Sequence, residues 1–431
     1  ALGRILLRRW KKCFPLAQLT SKISHLFSIR KVRMLAFIIP QILAIILVFY
    51  VQVPSASRKA TLETYLLSGL DNEARLPPDA ENYTLVAYFF YNNLETNFYV
   101  IDSLRILGAL DRLDTGARGQ IIDWLAFHMA PDGRIKSRYF WESDEFSYPA
   151  VDCAYYTLYS LRNLRITVDV SANNITAFLT DSNYEYVDDA YYTVSSLDTL
   201  GKLEETNTSE IHSFVTSCQY LEKQNYSEPY ATREFMVNYG GFSPEPKGWT
   251  SMRSTYYAVS ALKILGYAND SNSDAAVEWI LKHQTDSEGF CSELSLVWDD
   301  ETLMPIDTEP TEPDIFSTFY AVESLESLGK LNLIDKNKTV EYIASLQRRT
   351  GTFGHGVSDG YAYEDKLKSI YESTYVALSM LESLDATELL NSMFPVPKIL
   401  LEIFRELPPF FFMSVIAIAC LDVFLKLKRI I

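Results

Sequence analysis

One helix is written six times in this chain, and that repetition restricts the fold more than any other feature. Aligned on a leucine that follows an aromatic pair, the copies begin with ETNFYVIDSLRILG (95–108), DCAYYTLYSLRNL (152–164) and DDAYYTVSSLDTLG (188–201). They continue with RSTYYAVSALKILG (253–266), FSTFYAVESLESLG (316–329) and YESTYVALSMLESL (371–384). The anchors are Leu104, Leu161, Leu197, Leu262, Leu325 and Leu381. Helices of a second kind lie between them: IIDWLAFHMAPDG, IHSFVTSCQYLEKQ, AVEWILKHQTDSEGF and VEYIASLQRRTGTFG. Most end in a glycine turn suited to a helix C-terminus. Paired helices repeating every few tens of residues predict stacked hairpins, each covering the apolar face of the next.

Such a stack is either an open solenoid or a closed ring. Tyr155–Tyr156, Tyr191–Tyr192, Tyr256–Tyr257 and Phe319–Tyr320 place bulky rings on adjacent faces of each repeated helix. A helix apolar most of the way round is covered on both sides. We therefore expect an all-α fold, an α/α toroid with these helices as the inner ring. The long turn NYGGFSPEPKGW (238–249) leads directly into one inner helix.

The ends of the chain read differently. Residues 34–53, MLAFIIPQILAIILVFYVQV, are 20 uncharged residues, enough for a membrane-spanning helix. Residues 409–425, PFFFMSVIAIACLDVFL, form a shorter second span that carries Asp422. Residues 1–53 hold nine Lys or Arg and no acidic residue, and KLKRII follows the second span. Basic flanks on the outer side of both spans place both termini in the cytoplasm. The expected organisation is a basic interfacial segment (1–33), a transmembrane helix (34–53), an extracytoplasmic toroid (54–395), and an amphipathic segment with a second span and a short basic tail (396–431). The middle has 25 basic against 52 acidic residues. So acidic a globule repels phosphate backbones, which argues against nucleic acid as a partner. Sequons at Asn82, Asn174, Asn207, Asn225, Asn269 and Asn337 all fall in this middle, as glycosylation outside the cytoplasm would require. Its three cysteines, Cys153, Cys218 and Cys291, give no disulfide framework and read as buried thiols.

The G-x-F and S-T-x-Y-x-x-x-x-L elements resemble the repeats of the prenyltransferase and squalene-cyclase superfamily. QRRTGTF (347–353) is similar to its Q-x3-G-x-W motif, with Phe353 in place of Trp. The resemblance spans about residues 60–390 and implies the toroid fold. In prenyltransferases it also implies a zinc site built from a D-x-C and a histidine that begin inner helices. Here the matching stretches read Asp152–Cys153–Ala154 and Asp188–Asp189–Ala190, and Ser254, Ser317 and Ser373 hold the histidine position. No metal or other cofactor is expected. The cyclase D-x-D-D acid would fall on YEYVDDA, with Tyr186 at its first position. Asp188 and Asp189 can still share a proton if buried together, or cap their helix. Asp152 and Glu372 are read as starting their helices in the same way, with the same two roles open.

Two functions follow. The first is a non-catalytic binding module or accessory subunit of a membrane complex, with membrane lipids and other membrane protein subunits as partners. The second is an enzyme acting on an isoprenoid lipid or a glycan through Asp188, Asp189, Asp152 and Glu372. Its cavity would be lined by Tyr156, Tyr192, Tyr257, Tyr320, Arg253 and, from a glycine-rich turn, His355.

Overall fold

A computed structural model describes residues 57–73, 94–113, 115–129, 135, 151–166, 172–182, 184–221, 229–269, 272–299, 301–302, 304–348, 351–355 and 363–392. All belong to one compact unit, Ser57–Ser392. Both expected spans, and the sequons at Asn82 and Asn225, lie outside the described residues. Among the described residues, no helix is long and apolar enough to cross a membrane.

The chain alternates outer and inner helices. The first three pairs are α1 (Arg58–Glu73) with α2 (Leu94–Ile106), α3 (Thr115–Phe127) with α4 (Val151–Asn163), and α5 (Ala172–Thr180) with α6 (Val187–Leu200). After α7 (Thr208–Ser217) comes an inserted helix, α8 (Pro229–Asn238), before inner α9 (Met252–Ile264). Then come α10 (Ser273–Lys282) with inner α11 (Ile315–Ser327), and α12 (Lys336–Ser345) with inner α13 (Tyr363–Ser383). Each inner helix packs on two others in the cycle α2, α4, α6, α9, α11, α13 and back to α2. The ring is closed, as the aromatic pairs require.

The fold departs from the all-α expectation at one connection. Leu294–Trp298 (β1) and Pro305–Pro310 (β2) form an antiparallel hairpin between α10 and α11, packed on α8. Its short LSLVW run has too little alternation to stand out among helical periods.

The repeat motif has a structural cause. Isolated antiparallel bridges join Gln219 to Phe242, Gln284 to Phe290 and Gln347 to Phe353, each closing the turn after an outer helix. The buried N–H groups of Phe242, Phe290 and Phe353 then donate to Thr255, Thr318 and Thr374 of the following inner helices, at 3.0, 3.0 and 3.2 Å. Threonine serves because its hydroxyl can accept this bond while donating to a carbonyl one turn back, as Thr318 does to Asp314 at 2.7 Å. Thr318→Val keeps the shape and strands the Phe290 amide. We expect it to cost about 1–3 kcal/mol in urea unfolding, while Ser, which keeps the hydroxyl, costs less.

The ring is sealed where its first and last inner helices meet. Arg105 of α2 donates to Glu382 of α13 at 2.8 and 3.1 Å and pairs with Asp102, which also accepts from Asn163 of α4 at 2.7 Å. Outside this seam, α1 buries Leu62 and Leu66 completely. Arg58 of α1 donates to Gln347 at 3.1 Å, joining the start of the domain to its last turn.

Candidate functional site

Inner-helix residues at matching positions lie at matching heights, so the six helices run parallel and the ring has a distinct mouth at their N-termini. Nine residues before each anchor leucine stand Glu95, Asp152, Asp188, Arg253, Phe316 and Glu372. Beneath this rim lie two aromatic layers. Tyr99, Tyr156, Tyr192, Tyr257 and Tyr320 form the upper layer, and Phe98, Tyr155, Tyr191, Tyr256, Phe319 and Tyr375 the lower one.

The two layers fill the ring. In the upper one the Tyr192 hydroxyl lies 3.1 Å from that of Tyr156 and 2.9 Å from that of Tyr257. In the lower one Tyr191 is 3.2 Å from Tyr155 and 3.4 Å from Tyr256. Ring centroids of neighbouring helices lie 5.2–5.8 Å apart in tilted contacts, within the favourable range for aromatic pairs. Burial raises the phenols of both layers above their ordinary value, so they remain protonated hydrogen-bond donors. The space left among them is about 40 Å³. That volume holds a few waters, whereas sites for small organic ligands need roughly 300–1,000 Å³.

Each candidate acid has a partner within the rim. Asp189 accepts from the N–H groups of Tyr186 and Glu185 at 3.0 and 3.3 Å, completing a capping box on α6. Its carboxyl is raised by burial and by Asp188, while those N–H bonds oppose the rise. Asp188 sits 3.6 Å from Arg253, whose guanidinium lies 5.4 Å above the ring of Tyr257. Asp152 accepts from the N–H of Cys153 at 2.7 Å; burial raises its carboxyl, with Glu95 and Asp188 adding to the effect. Contrary to the expectation from sequence, Glu372 does not begin its helix. α13 starts at Tyr363, and Glu372 reaches the rim from within it to meet the Tyr99 hydroxyl at 3.5 Å. His355 is half-buried at the rim with its ring 4.7 Å from Phe316, and its carbonyl accepts from Ile315.

Glu95 was not singled out from sequence. It accepts from Tyr99 at 2.7 Å and from Tyr156 at 3.3 Å, tying the rim to the plug. Its place nine residues before Leu104 was the available signal. At the positions matched to the prenyltransferase zinc ligands, Asp152 and Asp188 keep the carboxylate, while Ala154 and Ala190 stand at the thiol position and Ser254, Ser317 and Ser373 at the histidine position. Among the described residues, no group of three or more His, Cys, Asp or Glu is placed to hold a metal ion. Cys153, Cys218 and Cys291 are buried, as expected. Asn174, Asn207, Asn269 and Asn337 are exposed.

One carboxylate is held against its preference. Glu323 of α11 accepts from Ser383 and Ser379 at 2.9 and 3.2 Å, and burial raises it to about 7, with Glu326 adding to the effect. Below about pH 4.5 it is protonated whether the chain is folded or not. As pH rises from there to about 7 only the unfolded chain releases the proton, so stability falls through that window. Glu323→Gln keeps the acceptor without the charge. It is expected to stabilise the fold by about 2–3 kcal/mol at pH 8 and to change little at pH 4.5, read from thermal or urea unfolding at both values.

A closed double ring of helices, plugged by its own aromatic side chains, defines an α/α toroid. The family model for the prenyltransferase alpha-alpha toroid domain matches residues 86–185 and 187–391, and the chain belongs to that family. No curated protein matches the sequence. Among solved structures, protein geranylgeranyltransferase-I of Candida albicans, complexed with GGPP, is similar over 81% of this chain and 98% of its own, at 14% identity and a TM-score of 0.55. A type II terpene cyclase from Scytonema covers 76% and 98% at 13% identity, with a TM-score of 0.46. A glycosidase in complex with glucose covers the same shares at 12% identity, with a TM-score of 0.44. Identities this low speak to the fold alone.

Proposed function

We propose that this chain is a membrane-tethered toroid that binds partner subunits rather than transforming a substrate. The observation that carries the reading is the plug. Eleven aromatic side chains occupy the ring and leave about 40 Å³, too little for an isoprenoid chain or a sugar. The rim supports it as well. Asp188 and Asp189 are engaged by Arg253 and by backbone N–H groups, which leaves neither arranged as a free acid.

What remains for recognition is the outside. Tyr186, Trp249, Trp298 and Ile306 are large apolar side chains about half exposed, all in connections that enter inner helices. Aromatic residues of this kind are enriched where proteins bind one another. With spans at 34–53 and 409–425 in the membrane, the ring is held outside the cytoplasm. The partners are then membrane proteins, with lipid around the anchors.

Two measurements test this. Benzoylphenylalanine at Trp249, irradiated in native membranes, is expected to cross-link to one discrete membrane protein. A membrane-impermeant maleimide is expected to label Glu204→Cys from the extracytoplasmic face, at the surface of intact cells or in the lumen of opened vesicles, and not from the cytosolic face of sealed membranes. Labelling from the cytosolic face, or an isoprenoid product formed by the purified full chain, contradicts the proposal.

A further inference from the structure

At the end of the ring away from the mouth, the C-terminal turns of α2 and α4 and the start of α3 enclose a groove of about 320 Å³. Among the described residues it is lined by Arg105, Arg118, Arg162 and Arg165, with Asp111 the one carboxylate. A domain with 25 basic and 52 acidic residues has gathered four guanidinium groups around one groove. We propose that this groove binds a phosphate group.

Ordinary roles account for only part of the cluster. Arg105 and Arg162 lie in the last turns of α2 and α4, where cations offset the negative helix ends, and Arg105 also seals the ring through Asp102 and Glu382. Arg118 donates to the Leu164 carbonyl at 2.9 Å with one end of its fork. Arg162 lies 5.0 Å above the ring of Tyr159, which holds it in place. Arg118, Arg162 and Arg165 have no carboxylate partner among the ion pairs of the described residues.

Arg165 is the least expected of the four. It stands four residues after its anchor leucine, where the equivalent residues are Gly108, Gly201, Gly266 and Gly329, all at positive φ. Arg165 adopts φ 58 there, a left-handed conformation costing a residue with a Cβ about 1 kcal/mol relative to glycine. Asp385, of a type more tolerant of that region, holds the position in the last repeat. An arginine stands where four other repeats have glycine, and it lines the groove together with three other arginines. Planar guanidinium groups converging on one space suit the oxygens of a phosphate, which accept paired hydrogen bonds. The volume reaches the lower end of small-ligand sites, enough for a phosphate and a short organic portion. The phosphate is either that of a free small molecule or a lipid headgroup.

The test uses the full chain in nonionic detergent and calorimetric titration with inorganic phosphate, glycerol 3-phosphate and dihexanoyl phosphatidic acid. Dihexanoyl phosphatidylcholine is the zwitterionic control. At least one of the three anionic probes is expected to bind saturably below the millimolar range, and more weakly as salt is added. Binding by inorganic phosphate or glycerol 3-phosphate comparable to that of the lipid identifies a free phosphate ligand. Binding by phosphatidic acid alone identifies a headgroup, and either outcome upholds the site. Arg165→Gly removes the charge and the backbone strain together, so it is expected to unfold at a higher temperature while binding about tenfold more weakly. Arg162→Gln is expected to weaken binding similarly, and Arg253→Gln, at the opposite end of the ring, to leave it unchanged. The proposal is overturned if no anionic probe binds, or if Arg165→Gly and Arg162→Gln bind as tightly as the parent chain.

Discussion

Replacing Tyr191 with alanine is expected to lower the unfolding free energy by about 3–5 kcal/mol, the range seen when a large aromatic side chain is deleted from a packed interior. Tyr191 is 7% exposed and sits in the lower layer of the plug, where its ring touches those of Tyr155, Tyr192, Tyr256 and Tyr257. Its hydroxyl lies within hydrogen-bond distance of Tyr155 and Tyr256, so the truncation also costs both of them a partner. Tyr191→Phe, which leaves the packing, should cost only about 1 kcal/mol. Urea unfolding of both variants separates the two contributions. If the alanine variant unfolds within 1 kcal/mol of the parent, roughly the value of one hydrogen bond, the layer is not a packed core and the plug is not what holds the ring together.

The second large effect is expected at Gly351. This residue has φ +88, and a Cβ added to it would stand 2.7 Å from the backbone nitrogen of Leu62 and 2.9 Å from its Cα. The obstacle is main chain and cannot rotate away. Gly351→Ala thus combines left-handed strain with displacement of α1 from the seam. A loss of about 2–4 kcal/mol is expected, with the strain alone accounting for roughly 1–2. Hydrogen exchange gives the sharper readout: amides of α1 and of the Gln347–Phe353 turn should lose protection first, before those of α6 and α9. Uniform loss across the ring would mean that the seam is no separate unit. The position also explains the Q-x3-G-x-F stretch at 347–353. The Gln347 side chain accepts from Arg58 and donates to the Gly351 carbonyl at 2.9 Å, so the motif fastens the two ends of the ring.

These residues show what could be read from the linear chain. Tyr155–Tyr156, Tyr191–Tyr192 and Tyr256–Tyr257 recur at a fixed distance from a leucine, and periodicity alone was enough to place them on inner helices. Thr255, Thr318 and Thr374 stood out as part of a repeat, although their bonds to the Phe242, Phe290 and Phe353 amides needed coordinates. Whether the ring is hollow or filled could not be read, because it depends on where side chains from six helices meet. Tyr156, Tyr192, Tyr257 and Tyr320 suit the walls of a cavity or a packed core equally well in sequence, and in the structure they occupy the space themselves. Glu95 was passed over because Glu-Thr-Asn looks unlike Asp-Cys-Ala or Asp-Asp-Ala, yet it occupies the same rim position. Glu372 was misplaced because its helix continues two turns beyond the repeat. The arginine groove joins Arg105 to Arg165, 60 positions apart, and no local pattern connects them.

Whether an isoprenoid chain can enter this ring depends on the aromatic side chains at its centre. The measurement that decides this is photolabelling of the full chain, in detergent, with a geranylgeranyl diphosphate that carries a diazirine on its last isoprene unit, followed by peptide mapping. With the ring filled, no label should appear on the inner-helix peptides around Tyr155, Tyr191 and Tyr256, whatever the diphosphate does elsewhere on the surface. Saturable labelling of any of those three tyrosines, displaced by unmodified geranylgeranyl diphosphate, would show that the plug opens to admit a lipid and would contradict the account.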